Sequence, residues 1–218
     1  MNVLLMFLCL LFDVIYIICK AKGKNFIGVI AKIIASACFI TIGYFAYEKN
    51  DSIFNYYILL GLSLDGLGDL FLGLRNLFAK NTNFLLGTLC FLVGHIVYIK
   101  ALFPLSNDYC FYCVILSIFV GAIIFSLLQR RCKFSKVYWV VGIVYCIIIS
   151  MMTLFSVGVY CTNINSSNLV FMLGSIMFLS SDIILVLYNL SKKENWMHPV
   201  YSLLYYIAQI LISFSLHI

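Results

Sequence analysis

Charge is scarce in this sequence. Of 218 residues only 10% are Asp, Glu, Lys or Arg, against about 25% in soluble domains. Histidine is rarer still, at three residues. Long polar linkers and low-complexity segments are missing, as are HExxH, GxSxG, a Walker loop and a dinucleotide fingerprint. These absences exclude an ordinary soluble domain, a disordered chain and a small disulfide-stapled secreted module. What is there is apolar: 64% hydrophobic residues and a mean hydropathy of +1.09. Such a chain uses lipid as its solvent, where only helices or a closed barrel satisfy the backbone. A barrel would show roughly ten-residue alternating segments. This chain shows long continuous apolar runs, so the fold class read here is all-α.

A helical span needs about 20 apolar residues. Eight stretches qualify: 3–19, 26–46, 54–74, 83–102, 109–128, 137–154, 169–190 and 199–217. The expected architecture is a polytopic transmembrane bundle of eight spans, one membrane-embedded helical domain over residues 1–218 with short polar connections. The stretch 3–19 has no basic residues ahead of it and Lys20, Lys22 and Lys24 behind it, so it reads as a span rather than a signal peptide. The odd-numbered connections hold those three lysines, Arg75, Lys80, Arg130, Arg131, Lys133, Lys136, Lys192 and Lys193. The even ones and their edges hold only Lys49 and Lys100, and Lys32 lies inside a span. The positive-inside rule then places both termini on the outer or lumenal side. The location implied is a bacterial plasma membrane or an endoplasmic reticulum membrane. The net charge of +6 is that of cytoplasmic loops and needs no nucleic-acid partner. No feature sets an oligomeric state.

Six ionisable residues fall inside spans: Asp13, Lys32, Asp65, Asp69, His95 and Asp182. On insertion scales such groups cost a few kcal/mol each, of order 2.5–3.5, and they normally face a protein interior or a wet cavity. At about 1.5 Å rise per residue, Asp13 and Lys32 come about 9 Å from the cytoplasmic end of their spans, Asp69 about 8 Å, Asp182 about 12 Å, Asp65 about 14 Å and His95 about 18 Å. Five charges on four helices thus share one layer, as a polar cavity open toward the cytoplasmic leaflet would require. Asp65 and Asp69 stand four apart and share a helix face with Gly61 and Gly68, which admit a close neighbouring helix. Thr88, Phe91, His95 and Tyr98 form one stripe, and Ser202, Tyr205, Gln209 and Ser213 another. The bland reading of such stripes is packing. The bland reading of the aspartates is a structural pair, Lys32 with Asp69 or Asp13.

A carboxylate pair in a low-dielectric pocket suits acid–base work, one member holding a proton while the other stays ionised. Zinc hydrolysis calls for several His ligands, and only His95 is interior, so no metal is expected. Cys110 and Cys113 make a lone C-x-x-C with no second pair. The other cysteines sit mostly within apolar runs, where Cys acts as a small hydrophobe.

The third and fourth spans carry Gly68-Asp69, then Phe84, Gly87, Phe91, His95 and Tyr98. The seventh carries Gly174, Phe178, Ser181 and Asp182, and the last carries Tyr205, Tyr206, Ala208 and Gln209. In that order these residues resemble the lysoplasmalogenase (YhhN-like) family of integral membrane proteins. Lys32 is similar to a family lysine usually followed by Pro, where this chain has Ile33. Asp65 stands where the family usually has Ser.

The resemblance implies a membrane-embedded ether hydrolase. It would cleave the vinyl-ether bond of lysoplasmalogens to a fatty aldehyde and glycerophosphoethanolamine or glycerophosphocholine, without cofactor or metal. Asp69 and Asp182 are then the expected catalytic pair, with the division between acid and base open. Lys32, Asp65, His95, Tyr98, Ser181, Tyr205 and Gln209 are the expected substrate-binding or tuning residues. The lysophospholipid is expected to enter from the cytoplasmic leaflet with its head group near the basic loops. The alternative is a proton-coupled small-molecule or lipid transporter using the same carboxylates. Against it, the chain shows no paired repeat and few of the mid-span breaks that carriers often have. A lipid-binding scaffold without activity is a third reading.

Overall fold

The computed structural model describes residues 2–78 and 81–218. Lys80, one of the basic connection residues, lies outside them. Among the described residues there are eight α-helices and no strand: α1 (Asn2–Ala21), α2 (Asn25–Lys49), α3 (Ile53–Phe78), α4 (Asn81–Leu102), α5 (Cys110–Gln129), α6 (Lys136–Thr162), α7 (Ser166–Leu190) and α8 (Met197–Ser215). All eight are long and apolar enough to cross a membrane, and the chain is a multi-pass membrane protein. Two 3₁₀ turns, Phe103–Leu105 and Asn107–Tyr109, lead from α4 into α5. Helix α6 runs to Thr162, eight residues past the end read from sequence at 154. The extension contains Ser156, Gly158 and Thr162, which dilute the apolar signal. The Ser156 hydroxyl is nevertheless buried against that of Ser175 on α7 at 2.6 Å.

Local chemistry sets the helix ends. Gly23 takes φ +71° between α1 and α2, a conformation cheap only for glycine. Asn165 Oδ1 accepts from the Asn168 amide at 2.7 Å and caps α7.

Helices joined by short connections pack as neighbours: α1 with α2, α2 with α3, α3 with α4, α5 with α6, and α7 with α8. Helix α8 also packs on α1, α2 and α3, while α4 and α7 both pack on α6. Helices α2 and α8 are accordingly the most buried, and α1 and α5 the most exposed.

The polarity is inverted relative to a soluble protein. On α1 the exposed stripe is Leu4, Phe7, Leu11, Val14 and Ile18, at helical spacing, as a face against acyl chains requires. The buried face of the same helix carries Cys9, Asp13, Tyr16 and Cys19. All six intramembrane ionisable residues are 5% exposed or less, so every one faces protein rather than lipid. Cys110 and Cys113 remain free thiols, and Cys113 donates to the Leu154 carbonyl of α6 at 3.2 Å.

Candidate active site

Helix α3 brings Asp65 and Asp69 inward, one turn apart. Its glycines allow α4 to lie against it. A Cβ on Gly68 would stand 2.8 Å from the Phe91 ring, and one on Gly61 would overlap the Tyr98 ring. The fourth-span stripe is therefore seated directly on the aspartate-bearing face.

Asp69 sits in a nest of donors from α2 and α8. Lys32 Nζ lies 2.7 Å from Oδ1. The hydroxyls of Ser36 and Tyr205 donate to Oδ2 at 2.5 and 2.8 Å. The Lys32 ammonium is itself ringed by Tyr16, Tyr205 and Tyr206, with centroids 5.3, 5.5 and 5.7 Å away. A cation and two hydroxyls therefore surround one carboxylate. The expected Lys32–Asp69 pair is thus present, and Lys32 does not pair with Asp13. Asp13 instead accepts from Ser202 at 2.5 Å.

Asp182 is held by a phenol and an imidazole. The Tyr145 hydroxyl of α6 donates to its Oδ2 at 2.5 Å. His95 Nε2 lies 3.1 Å from the same hydroxyl and 3.7 Å from Asp182 Oδ2. Because Tyr145 gives its proton to Asp182, His95 is the donor to Tyr145, and a chain His95–Tyr145–Asp182 results. Its neighbour Ser181 donates to the Tyr201 carbonyl at 2.8 Å. That contact ties α7 to α8.

Asp69 and Asp182 line one small cavity, together with Lys32, Ser181, Ser202 and Tyr205. Two further pockets share lining residues with it. Asp182 and Leu72 also line an apolar slot walled by Phe84, Phe125, Phe134, Tyr138 and Val186. Lys32 and Tyr201 also line a cleft walled by Lys20, Arg75, Asn76 and Asn189.

The remaining sequence candidates stand apart from that cavity. Asp65 Oδ2 accepts from Tyr98 and from Gln209 Nε2, both at 2.8 Å. Asp65, Tyr98, His95 and Gln209 are fully buried. Phe91, Phe178 and Tyr205 pack edge-to-face at 5.3–6.2 Å, and His95 rests on Phe178 at 4.7 Å. Residues that sequence reasoning passed over are Ser36 and Tyr145, while Tyr206 was read only as part of the last-span pattern. Ser36 had a readable signal, standing one turn from Lys32. Tyr145 had none, being one aromatic among many in an apolar run.

Bundle and site together define a multi-pass helical membrane protein with a buried cluster of acids, tyrosines and one lysine at its centre. A model of the YhhN family matches residues 27–216, and the chain belongs to that family. Comparison with curated proteins and with solved structures found no match. All nine candidate site residues lie within the matched stretch, whereas α1, with Asp13 and Lys20, precedes it.

Proposed function

We propose that the chain is a hydrolase that cleaves the vinyl-ether bond of lysoplasmalogens. The observation that carries this reading is the pair Asp69 and Asp182 on one small cavity whose lining residues are shared with a basic cleft on one side and an apolar slot on the other. An amphiphile with one charged end and one chain matches that profile. Asp182 lines both the slot and the cavity, next to the point where the vinyl-ether carbons of such a lipid would lie.

Vinyl ethers hydrolyse through protonation at carbon. In the proposed sequence Asp182 gives a proton to the carbon β to the ether oxygen. The carbon next to oxygen becomes an oxocarbenium centre. Asp69, ionised beside Lys32, stabilises that positive charge and takes a proton from the attacking water. The hemiacetal that forms collapses, breaking its carbon–oxygen bond. It releases the fatty aldehyde and a glycerophospho alcohol, so one water is consumed per turnover. Tyr145 and His95 hold Asp182 in place and form a path for its reprotonation. The protein lies in the membrane with both termini on the outer or lumenal side, as the basic connections favour, and substrate comes from the cytoplasmic leaflet.

The test is aldehyde release by the purified full chain in detergent with a defined lysoplasmalogen. Release is expected with the vinyl ether and absent with the matching alkyl ether, which cannot form the oxocarbenium ion by protonation. Equal inertness toward both lipids, with proton-coupled uptake in liposomes, would establish the carrier instead.

A further inference from the structure

The basic cleft holds two cations that the chemistry above does not use. Lys20, in the last turn of α1, donates to Asn76 Oδ1, and Arg75, in the last turn of α3, donates to Asn189 Oδ1. Both cations are half-buried, and both line the cleft that ends at Lys32. Among the described residues neither has a carboxylate partner, since the one lysine or arginine in an ion pair is Lys32, with Asp69. Lys20 is also repelled by Lys32, Arg75 and Lys193. The Arg75 guanidinium lies 4.4 Å from the Phe84 ring centroid, a contact that fixes its plane.

Cations near helix C-termini are common, because they complement the helix dipole. That explains where each one sits along its helix. It does not explain why two from different helices turn into one cleft, each held by a neutral amide that orients it without cancelling its charge. An ammonium has three donors and a guanidinium five, so most remain available.

We infer that this cleft is a binding site for a phosphate oxyanion, with Lys20 and Arg75 as its ligands. A phosphodiester has several acceptor oxygens and matches a guanidinium fork beside an ammonium. The cleft shares Lys32 and Tyr201 with the cavity of Asp69 and Asp182, so an anion bound there is next to the reacting centre. Identifying it as the substrate's own head group rests on the hydrolase reading. The anion site itself does not.

The experiment measures binding to the full chain in detergent with three probes. These are an acyl lysophosphatidylcholine, a monoacylglycerol of the same chain length, and inorganic phosphate. The lysophospholipid is expected to bind about tenfold more tightly than the monoacylglycerol. Lys20→Met and Arg75→Met are each expected to remove most of that advantage while leaving the monoacylglycerol unaffected, and Lys20→Arg to restore it. Saturable inorganic phosphate binding that the Met variants abolish, without discrimination between the lipids, keeps the oxyanion site and assigns it to a free anion. Equal affinity for both lipids together with no phosphate binding overturns the site, as does unchanged lysophospholipid binding in both Met variants. The acyl lipid has no vinyl ether, so a missing aldehyde signal sinks the hydrolase reading without touching this one.

Discussion

Asp69 and Asp182 border the same cavity but are held in opposite ways. Asp69 has a lysine and two hydroxyls within hydrogen-bond distance. Asp182 has a phenol, with an imidazole behind it, and among the described residues no Lys or Arg forms an ion pair with it. The first arrangement sets a lysine directly against the carboxyl. The second sets a phenol there instead. Environment rather than residue type divides the roles of two like carboxyls in a site. In the proposed reaction that division follows the architecture. Helices α2, α3 and α8 build the ionic half, and α4, α6 and α7 build the phenolic half.

The largest expected effect belongs to the phenolic half. Asp182→Asn keeps the volume and can still accept from Tyr145, so the fold should stand. It removes the proposed proton donor, and removing a general acid costs about 10²–10⁴-fold in rate. Aldehyde release should fall by about 10³-fold, with the unfolding midpoint in detergent nearly unchanged. Turnover within a few-fold of the parent would remove Asp182 from the chemistry.

The ionic half should answer differently. Asp69→Asn also abolishes release, but it leaves Lys32, which is 4% exposed, without its counter-charge. Breaking a buried pair by removing one partner costs about 3–5 kcal/mol. Replacing both members with apolar residues, as in Lys32→Met with Asp69→Leu, should recover much of that stability without any activity. Chemical unfolding of the two variants side by side checks this. If Asp69→Asn is as stable as Asp182→Asn, the contrast between the halves is not real.

A smaller effect is expected at Tyr145. Tyr145→Phe removes the donor to Asp182 and the bridge to His95 but leaves both side chains. Turnover should drop about tenfold to a hundredfold, within the range of a group that aids proton transfer. The KM should change little, because the rest of the slot is intact.

Tyr145 also marks where sequence reading stops. The eight helices were legible because lipid forces long apolar runs, and those runs leave an unmistakable periodicity-free signal. The depth layer was legible because a charge inside such a run needs a reason, and arithmetic at a fixed rise then aligned Asp13, Lys32, Asp65, Asp69 and Asp182. That alignment left Asp69 and Asp13 as partners for Lys32, and the structure pairs it with Asp69. Azimuth was not legible. Depth says how far a residue lies along the bilayer normal, not which neighbour it faces, so Asp65 and Gln209 read as cavity residues. They prove to bond each other outside it. Tyrosines were legible only as apolar bulk, since nothing local shows that the hydroxyl of Tyr145 rather than that of another Tyr meets a carboxylate.

Asp65 gives the smallest effect and the sharpest test of that lesson. Its position along the chain suggests a partner for Asp69, one turn away on the same face. Its surroundings suggest otherwise. Tyr98 and Gln209 both donate to Oδ2, and the residue is fully buried, with no wall of the cavity assigned to it. Asp65→Asn preserves the shape and retains an oxygen for both donors. The expected result is aldehyde release within about threefold of the parent and stability close to that of the parent, because an oxygen remains for both donors. A loss comparable with that of Asp182→Asn would place Asp65 in the reaction, and the cavity would then have to open toward Tyr98 during turnover.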